Sequence, residues 1–205
     1  MRHEVEQGTE DWFSLRFGRA TSSNFGTIMA NYGKAFGAPA RDYALKIVLE
    51  GMSGTNVTES FSNGWMEQGT EREPLAIMAY EEANFIEVKS GAFYSHDSLP
   101  FGGSPDGIIE IGNGGIEVKC PKFNTHYATI KRGGYDPSYK WQLIGNIWLC
   151  DLDFIDFISY CPEFPESSQL FVDRITRESV QSEIDMLKER LDLFVLLIDE
   201  IKQSL

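Results

Sequence analysis

A chain of 205 residues, 42% hydrophobic and 13% aromatic, can fill one well-packed core; this excludes a disordered chain and leaves little room for two domains. No stretch is apolar enough for a membrane span, no apolar signal core follows Met1, and three cysteines (Cys120, Cys150, Cys161) without a CxxC pair argue against a disulfide framework, a zinc site or a four-cysteine iron–sulfur cluster. The net charge of −13 opposes attraction to a polyanion, yet residues 119–140 hold five basic residues and a single acid, Asp136, while residues 178–205 are acidic.

Thr9 before Glu10, Asp11 and Trp12 reads as an N-cap with acids in the first helical turn. Thr21-Ser22-Ser23 offers a second cap, ahead of Phe25, Ile28 and Met29 on one face. Pro39 opens a third helix that runs through Leu49 and closes at Gly51. Residues 52–58 form a polar loop, and residues 61–83 are mostly helical, with Pro74 either kinking that helix or starting a new one. Beyond Pro74, Leu75, Met78 and Ala79 form an apolar stripe. Residues 86–95 are strand-like, and residues 101–120 read as a hairpin: strand 107–111, turn 112–115, return strand 116–120. Helices are expected at about 124–132 and 138–149, and strands at 154–160 and 170–175. A last helix starts near Arg177, with Val180, Ile184, Leu187, Leu191, Phe194, Ile198 and Ile201 at alternating spacings of four and three, a stripe for packing within the chain. The pattern predicts a mixed α/β domain spanning 1–205, with a central, mostly antiparallel or mixed sheet flanked by helices.

The hairpin holds the residues with chemistry. Glu117 and Lys119 are two apart on one strand and share a face; Val118 points away, with its carbonyl near the active face. Asp106 begins the partner strand, so the hairpin brings it close to Glu117. Two carboxylates and a carbonyl are hard oxygen ligands suited to Mg²⁺, with Mn²⁺ as a substitute. Such an ion polarises a scissile phosphodiester and activates water, while Lys119 orients that water and offsets developing charge. Pro-Asp-Gly alone is a common turn and Glu-x-Lys alone a common solvated face; their pairing across one hairpin is what points to a site.

Ser104-Pro105-Asp106-Gly107 followed by Gly115-Ile116-Glu117-Val118-Lys119-Cys120-Pro121 resembles the PD-(D/E)XK nuclease signature, in the form of the YqaJ-type viral recombinase family, which includes the bacteriophage lambda exonuclease-like nucleases. Gln7-Gly8-Thr9-Glu10-Asp11-Trp12, Leu15-Arg16-Phe17-Gly18 and Thr21-Ser22-Ser23 resemble the family's N-terminal motif; Gly69-Thr70-Glu71-Arg72-Glu73 with Ala76 and Tyr80 resembles its acidic helix; Trp141-Gln142 through Trp148 resembles its glutamine-bearing helix. The resemblance implies a restriction-endonuclease-like core. Asp106, Glu117 and the Val118 carbonyl become metal ligands, Lys119 the catalytic lysine, and Glu73 the helix carboxylate that completes the site, with Glu71 its competitor. Arg16 becomes the receptor of a terminal 5′-phosphate, helped by Ser23 and Ser104, and a guanidinium fork suits that task. Gln142 fits the glutamine helix, whose next glutamine position holds Ile144; Gln142 and Asn146 share a helical face and jointly line the groove.

The activity implied is a 5′-to-3′ exonuclease that digests one strand of linear double-stranded DNA from its ends, leaving 3′ overhangs for a partner single-strand annealing protein. The implied assembly is a trimeric ring, and the expected location is the cytoplasm of a bacterium or phage-infected cell. A PD-(D/E)XK endonuclease of restriction or repair type remains an alternative, distinguished by cutting a covalently closed plasmid. A DNA-end binding protein without catalysis is a second, distinguished by binding without Mg²⁺-dependent turnover.

Overall fold

Thr9 caps the first helix as its sequence predicts, its hydroxyl accepting the Trp12 N–H at 3.4 Å. The computed structural model describes residues 1–57 and 64–205, with residues 64–70 described by backbone only. In chain order the elements are β1 (Arg2–His3), α1 (Glu10–Arg16), β2 (Ala20–Thr21), α2 (Phe25–Met29), α3 (Ala38–Ser53), α4 (Gly64–Asn84), β3 (Lys89–Ser90), β4 (Phe93–Ser95), β5 (Phe101–Gly103) and β6 (Gly107–Ile109). They continue with β7 (Gly114–Lys119), α5 (Phe123–Arg132), α6 (Lys140–Leu149), β8 (Phe154–Tyr160), β9 (Leu170–Thr176) and α7 (Gln181–Ser204). The central sheet has the order β3-β6-β7-β8-β9, and a smaller second sheet, not separated in the sequence reading, has the order β1-β4-β5-β2. In the central sheet β7 pairs antiparallel with β6 but parallel with β8, and α5 and α6 form the crossover that a parallel pair requires.

One face of the central sheet packs on α4 through Ile116, Val118, Ile158, Ala76 and Tyr80. The other face packs on α2, α3, α6 and α7, where Ile155 and Phe157 meet Leu143, Ile147, Leu187 and Phe194. The α7 stripe is buried within the chain as its spacing predicts, with Ile201 only partly so. Among the described residues no helix is long and apolar enough to cross a membrane.

Four local expectations are corrected. The turn of the hairpin comes two residues earlier than expected, at 110–113: β6 ends at Ile109, β7 begins at Gly114, and Gly112 and Asn113 take left-handed conformations (φ +83° and +52°), leaving Ile111 81% exposed instead of in a strand. Helix α3 runs through Gly51 and ends at Gly54, whose φ of +66° forms the cap. Gly51 serves packing instead, since a Cβ there would lie 3.2 Å from the Gly18 Cα. Thr21-Ser22-Ser23 makes no side-chain cap; the segment forms a tight turn and its hydroxyls bond elsewhere, although Phe25, Ile28 and Met29 are buried as expected. Helix α4 passes through Pro74 unbroken, but Leu75 and Met78 are exposed while Ala76 and Tyr80 are buried. The Tyr80 hydroxyl donates to Asp156 on β8, and this polar anchor sets the helix rotation in place of the Leu75–Met78–Ala79 stripe. Residues 58 and 61–63, at the end of the expected polar loop and the start of the expected helix, lie outside the described residues.

Candidate active site

Asp106 ends the loop that enters β6. Its N–H donates to the Ile116 carbonyl at 3.0 Å, and its Oδ2 accepts the Val118 N–H at 2.7 Å. The backbone groups of Ile116 and Val118 point to the same side of β7, so the Val118 carbonyl, like its N–H, is directed past the end of β6 toward Asp106. The Glu117 and Lys119 side chains project from the face of β7 opposite the Ile116 and Val118 side chains, toward α6.

Glu117 is only 1% exposed, yet it is a carboxylate with three donors. Lys119 Nζ and Gln142 Nε2 both donate to its Oε1 at 2.5 Å, and Asn146 Nδ2 donates to its Oε2 at 3.2 Å. A carboxylate only accepts, so the Asn146 amide must turn its NH₂ to Glu117. Its Oδ1 then accepts from the Ser22 hydroxyl, at 2.7 Å. This chain of buried groups fixes the Glu117 carboxylate from behind. Gly103 makes room for it, because a Cβ there would fall 2.7 Å from Asn146 Oδ1. Tyr139 lies under the Lys119 ammonium, 5.2 Å from ring centre to Nζ.

Glu73 on α4 joins this group electrostatically. Burial and the charge of Asp106 push its pKa up to about 7. Burial, then Asp106, push Glu117 to about 7 as well. Burial raises Asp106 too, against the pull of Lys119 and the Val118 N–H. Burial alone would lower the Lys119 pKa, but Glu117 and Asp106 outweigh it and hold the ammonium above its ordinary range. Glu73, Asp106 and Glu117 thus lie, among the described residues, within electrostatic reach of Lys119, an excess of negative charge that a cation would relieve. Among the described residues no three His, Cys, Asp or Glu side chains close into a metal cage. The oxygens that could hold a cation are those of Asp106, Glu117 and the Val118 carbonyl, with Glu73 nearby; their hard-donor chemistry is of the kind that suits Mg²⁺.

Arg16 lies at the end of α1. Its guanidinium stacks 4.1 Å from the centre of the Trp12 ring and donates to Thr21 Oγ1 at 3.3 Å. Ser23 Oγ lies 3.1 Å from the same Thr21 hydroxyl. A cavity of about 160 Å³ opens here, lined by Arg16, Arg19, Thr21, Asn24, Tyr43 and Lys46 among others. Burial lowers the Arg16 pKa, against the charges of Tyr43 and Glu50. A guanidinium that is penalised by burial and bonded to a hydroxyl gains from an incoming anion.

Ser104 ties this cavity to the hairpin. Its hydroxyl accepts from Trp12 Nε1 at 3.3 Å and Gln7 Nε2 at 3.0 Å, and donates to the Ala92 carbonyl at 3.2 Å. Gln7 also donates to the Pro105 carbonyl at 3.1 Å, one residue before Asp106. Gln142, expected to line a DNA groove, is placed on Glu117. Gln7, Ser22 and Tyr139 were not among the expected site residues, Ser22 being expected only in a helix cap. Gln7 opens the N-terminal motif, which is a signal of sorts, but nothing in its spacing announces a contact across 98 residues.

The model of the YqaJ-like viral recombinase domain matches residues 11–153. No curated protein matches the chain. Among solved structures, the alkaline exonuclease LHK-Exo of Laribacter hongkongensis is similar at 30% identity and a TM-score of 0.79, over 96% of this chain and 97% of that one. Its complex with dAMP is similar at 31% identity and a TM-score of 0.80, over the same shares. A phage-related exonuclease of Haemophilus somnus 129PT shares the fold at 16% identity and a TM-score of 0.72, over 91% of this chain and 96% of that one.

Proposed function

The chain belongs to the family of YqaJ-like viral recombinase domains, and we propose that it is a Mg²⁺-dependent exodeoxyribonuclease that digests one strand of linear double-stranded DNA in the 5′-to-3′ direction, releasing 5′-mononucleotides. The observation that carries this reading is a single linked structure: a hairpin bearing Asp106, Glu117 and Lys119, joined through Gln7, Ser104 and Trp12 to the Arg16 cavity. A site that combines hydrolytic residues with a neighbouring cavity holding Arg16, Arg19 and Lys46 suits the phosphate at a strand end better than the middle of a strand, which favours an exonuclease over an endonuclease. The alkaline exonuclease likeness, including the complex with dAMP, supports the same substrate class.

Asp106, Glu117 and the Val118 carbonyl would hold Mg²⁺ or Mn²⁺, with Glu73 completing the set. The metal supplies Lewis-acid polarisation of the phosphate and activation of a water at neutral pH. Lys119, kept protonated by its carboxylate neighbours, orients the attacking water and offsets the charge that grows on the phosphate. Gln142, Asn146 and Ser22 hold the Glu117 carboxylate in one pose, so little reorganisation is left for the reaction. Arg16, with Thr21 and Ser23 around it, grips the terminal 5′-phosphate and sets the register of cleavage.

The family resemblance further supports a single nuclease domain over 1–205, a ring of identical subunits, an annealing protein as partner and a place in the bacterial or phage-infected cytoplasm. The test is digestion of a linear duplex labelled at each 5′ end in turn, beside a covalently closed plasmid. Mg²⁺-dependent release of mononucleotides from 5′ ends, with the plasmid intact, is expected. Cleavage of the plasmid, or full activity in chelator, refutes the reading.

A further inference from the structure

We propose that the outer face of α5, formed by Phe123, Tyr127 and Lys131, is a stacking track for an unpaired stretch of DNA strand beside Lys119. This rests on the nuclease reading and adds a substrate contact that the reading does not contain.

Phe123 is 66% exposed and Tyr127 55% exposed, one helical turn apart, and Lys131 follows one turn later on the same stripe. The helix is pinned so that these rings stay in water. His126 is fully buried; its Nδ1 lies 2.8 Å from Ser159 Oγ, its Nε2 2.8 Å from the Ser168 carbonyl, and its ring packs edge-on to Phe164. Ser159 is the register partner of Lys119 in the β7–β8 ladder, so this anchor also seats α5 beside the candidate catalytic lysine. Rolling the helix to bury Phe123 and Tyr127 would expose His126 and break both of its bonds.

Charge selects the occupant. Residues 119–132 contain Lys119, Lys122, Lys131 and Arg132 and no acid, within a chain of net charge −13. Arg132 pairs with Asp136, while Lys131 extends the aromatic stripe. Along this stretch the other exposed residues are Lys122, Asn124, Thr125, Ala128 and Arg132, a mostly polar and basic set rather than the large aliphatic side chains of a protein-binding core. Aromatic faces flanked by basic residues are the chemistry of single-strand binding. Bases inside a duplex offer only their edges, so ring-on-base stacking here requires a strand already separated from its complement.

The test is fluorescence anisotropy of the full chain in chelator, where no cleavage intrudes, with labelled oligothymidylate and with a blunt duplex as probes. Phe123→Ala and Tyr127→Ala are each expected to weaken single-strand binding by about tenfold, more together, with duplex binding changed by less than about threefold. Phe123→Trp and Tyr127→Phe should retain binding, which a loss of fold would not explain. Crosslinking of an iodouracil-bearing oligomer to Phe123 or Tyr127 supports the track. Unchanged single-strand affinity in the double alanine variant overturns it, as does a double variant whose only change is in oligomeric state by sedimentation. If the unmodified protein fails to digest linear duplex in Mg²⁺ while these losses are seen, the nuclease reading falls and the track stands; if it digests duplex and the losses are absent, the reverse holds.

Discussion

Lys119 and Glu117 should fail in different ways. Lys119→Ala leaves the carboxylates in place, so calorimetric Mg²⁺ binding should persist while single-turnover cleavage falls by about 10²–10³ or more. Lys119→Arg should rescue only in part, because a planar guanidinium does not replace a compact ammonium. Cleavage by Lys119→Ala at the unmodified rate would show it to be an ordinary strand lysine. Asn146→Asp sets a carboxylate where Glu117 now accepts an N–H, so Mg²⁺ affinity and cleavage should both change while Asn146→Gln or Ser22→Ala act more mildly. Ser22→Ala leaves a buried amide oxygen without its donor, a cost of about 1–3 kcal/mol in denaturant unfolding. Arg16→Ala should abolish a preference for 5′-phosphorylated over 5′-hydroxyl duplexes with Mg²⁺ affinity intact; equal rates on both ends in the unmodified protein would refute the Arg16 assignment. Asp106, Glu117 and Lys119 were legible because one hairpin carries all three. Ser22 and Asn146 stand 124 residues apart, and no local pattern records their bond.

Among the elements, β8 and β9 were legible nearly to the residue: both are seven-residue runs rich in aromatic and β-branched side chains, β8 buried along its length and β9 alternating partly buried and exposed positions at the sheet edge. The two-residue strands β1 and β2 were not, because two residues carry no period, and β3 and β4 were read together as one strand-like stretch at 86–95. The face of α4 was misjudged because a polar contact orients it. Asp156, 1% exposed, takes both Arg174 Nε and Nη2 at 2.7 Å as well as the Tyr80 hydroxyl. Arg174→Met should leave Asp156 buried with one weak donor and destabilise the chain by about 3 kcal/mol, at the low end for a broken buried pair because Arg174 itself is half in water. Tyr80→Phe should cost less, since the ion pair survives. If chemical denaturation finds Arg174→Met as stable as the unmodified chain, this cluster does not fasten α4 to the sheet.

At the scale of the whole molecule, the carboxylate cluster links stability to pH and metal. Glu73 and Glu117 ionise near 7 when folded against an ordinary 4.5. Between those values the folded chain holds protons that the unfolded chain has released, so stability falls as pH rises and the loss is complete above about 7. The thermal midpoint in chelator should therefore drop from pH 5 to pH 8. Mg²⁺, binding the folded chain alone, should restore it more at pH 8 than at pH 5. Glu73→Gln should flatten the drop, which separates it from general repulsion at −13. A midpoint that climbs from pH 5 to pH 8 in chelator refutes the coupling. The parallel pairing of β7 with β8 also orders events during translation. A growing chain exposes Asp106, Glu117 and Lys119 before it owns Gln142, Asn146 and the strand beside them. The nascent polypeptide is thus expected to lack a fixed Glu117 until α6 and β8 have left the ribosome, so that cleavage should appear only with the finished chain.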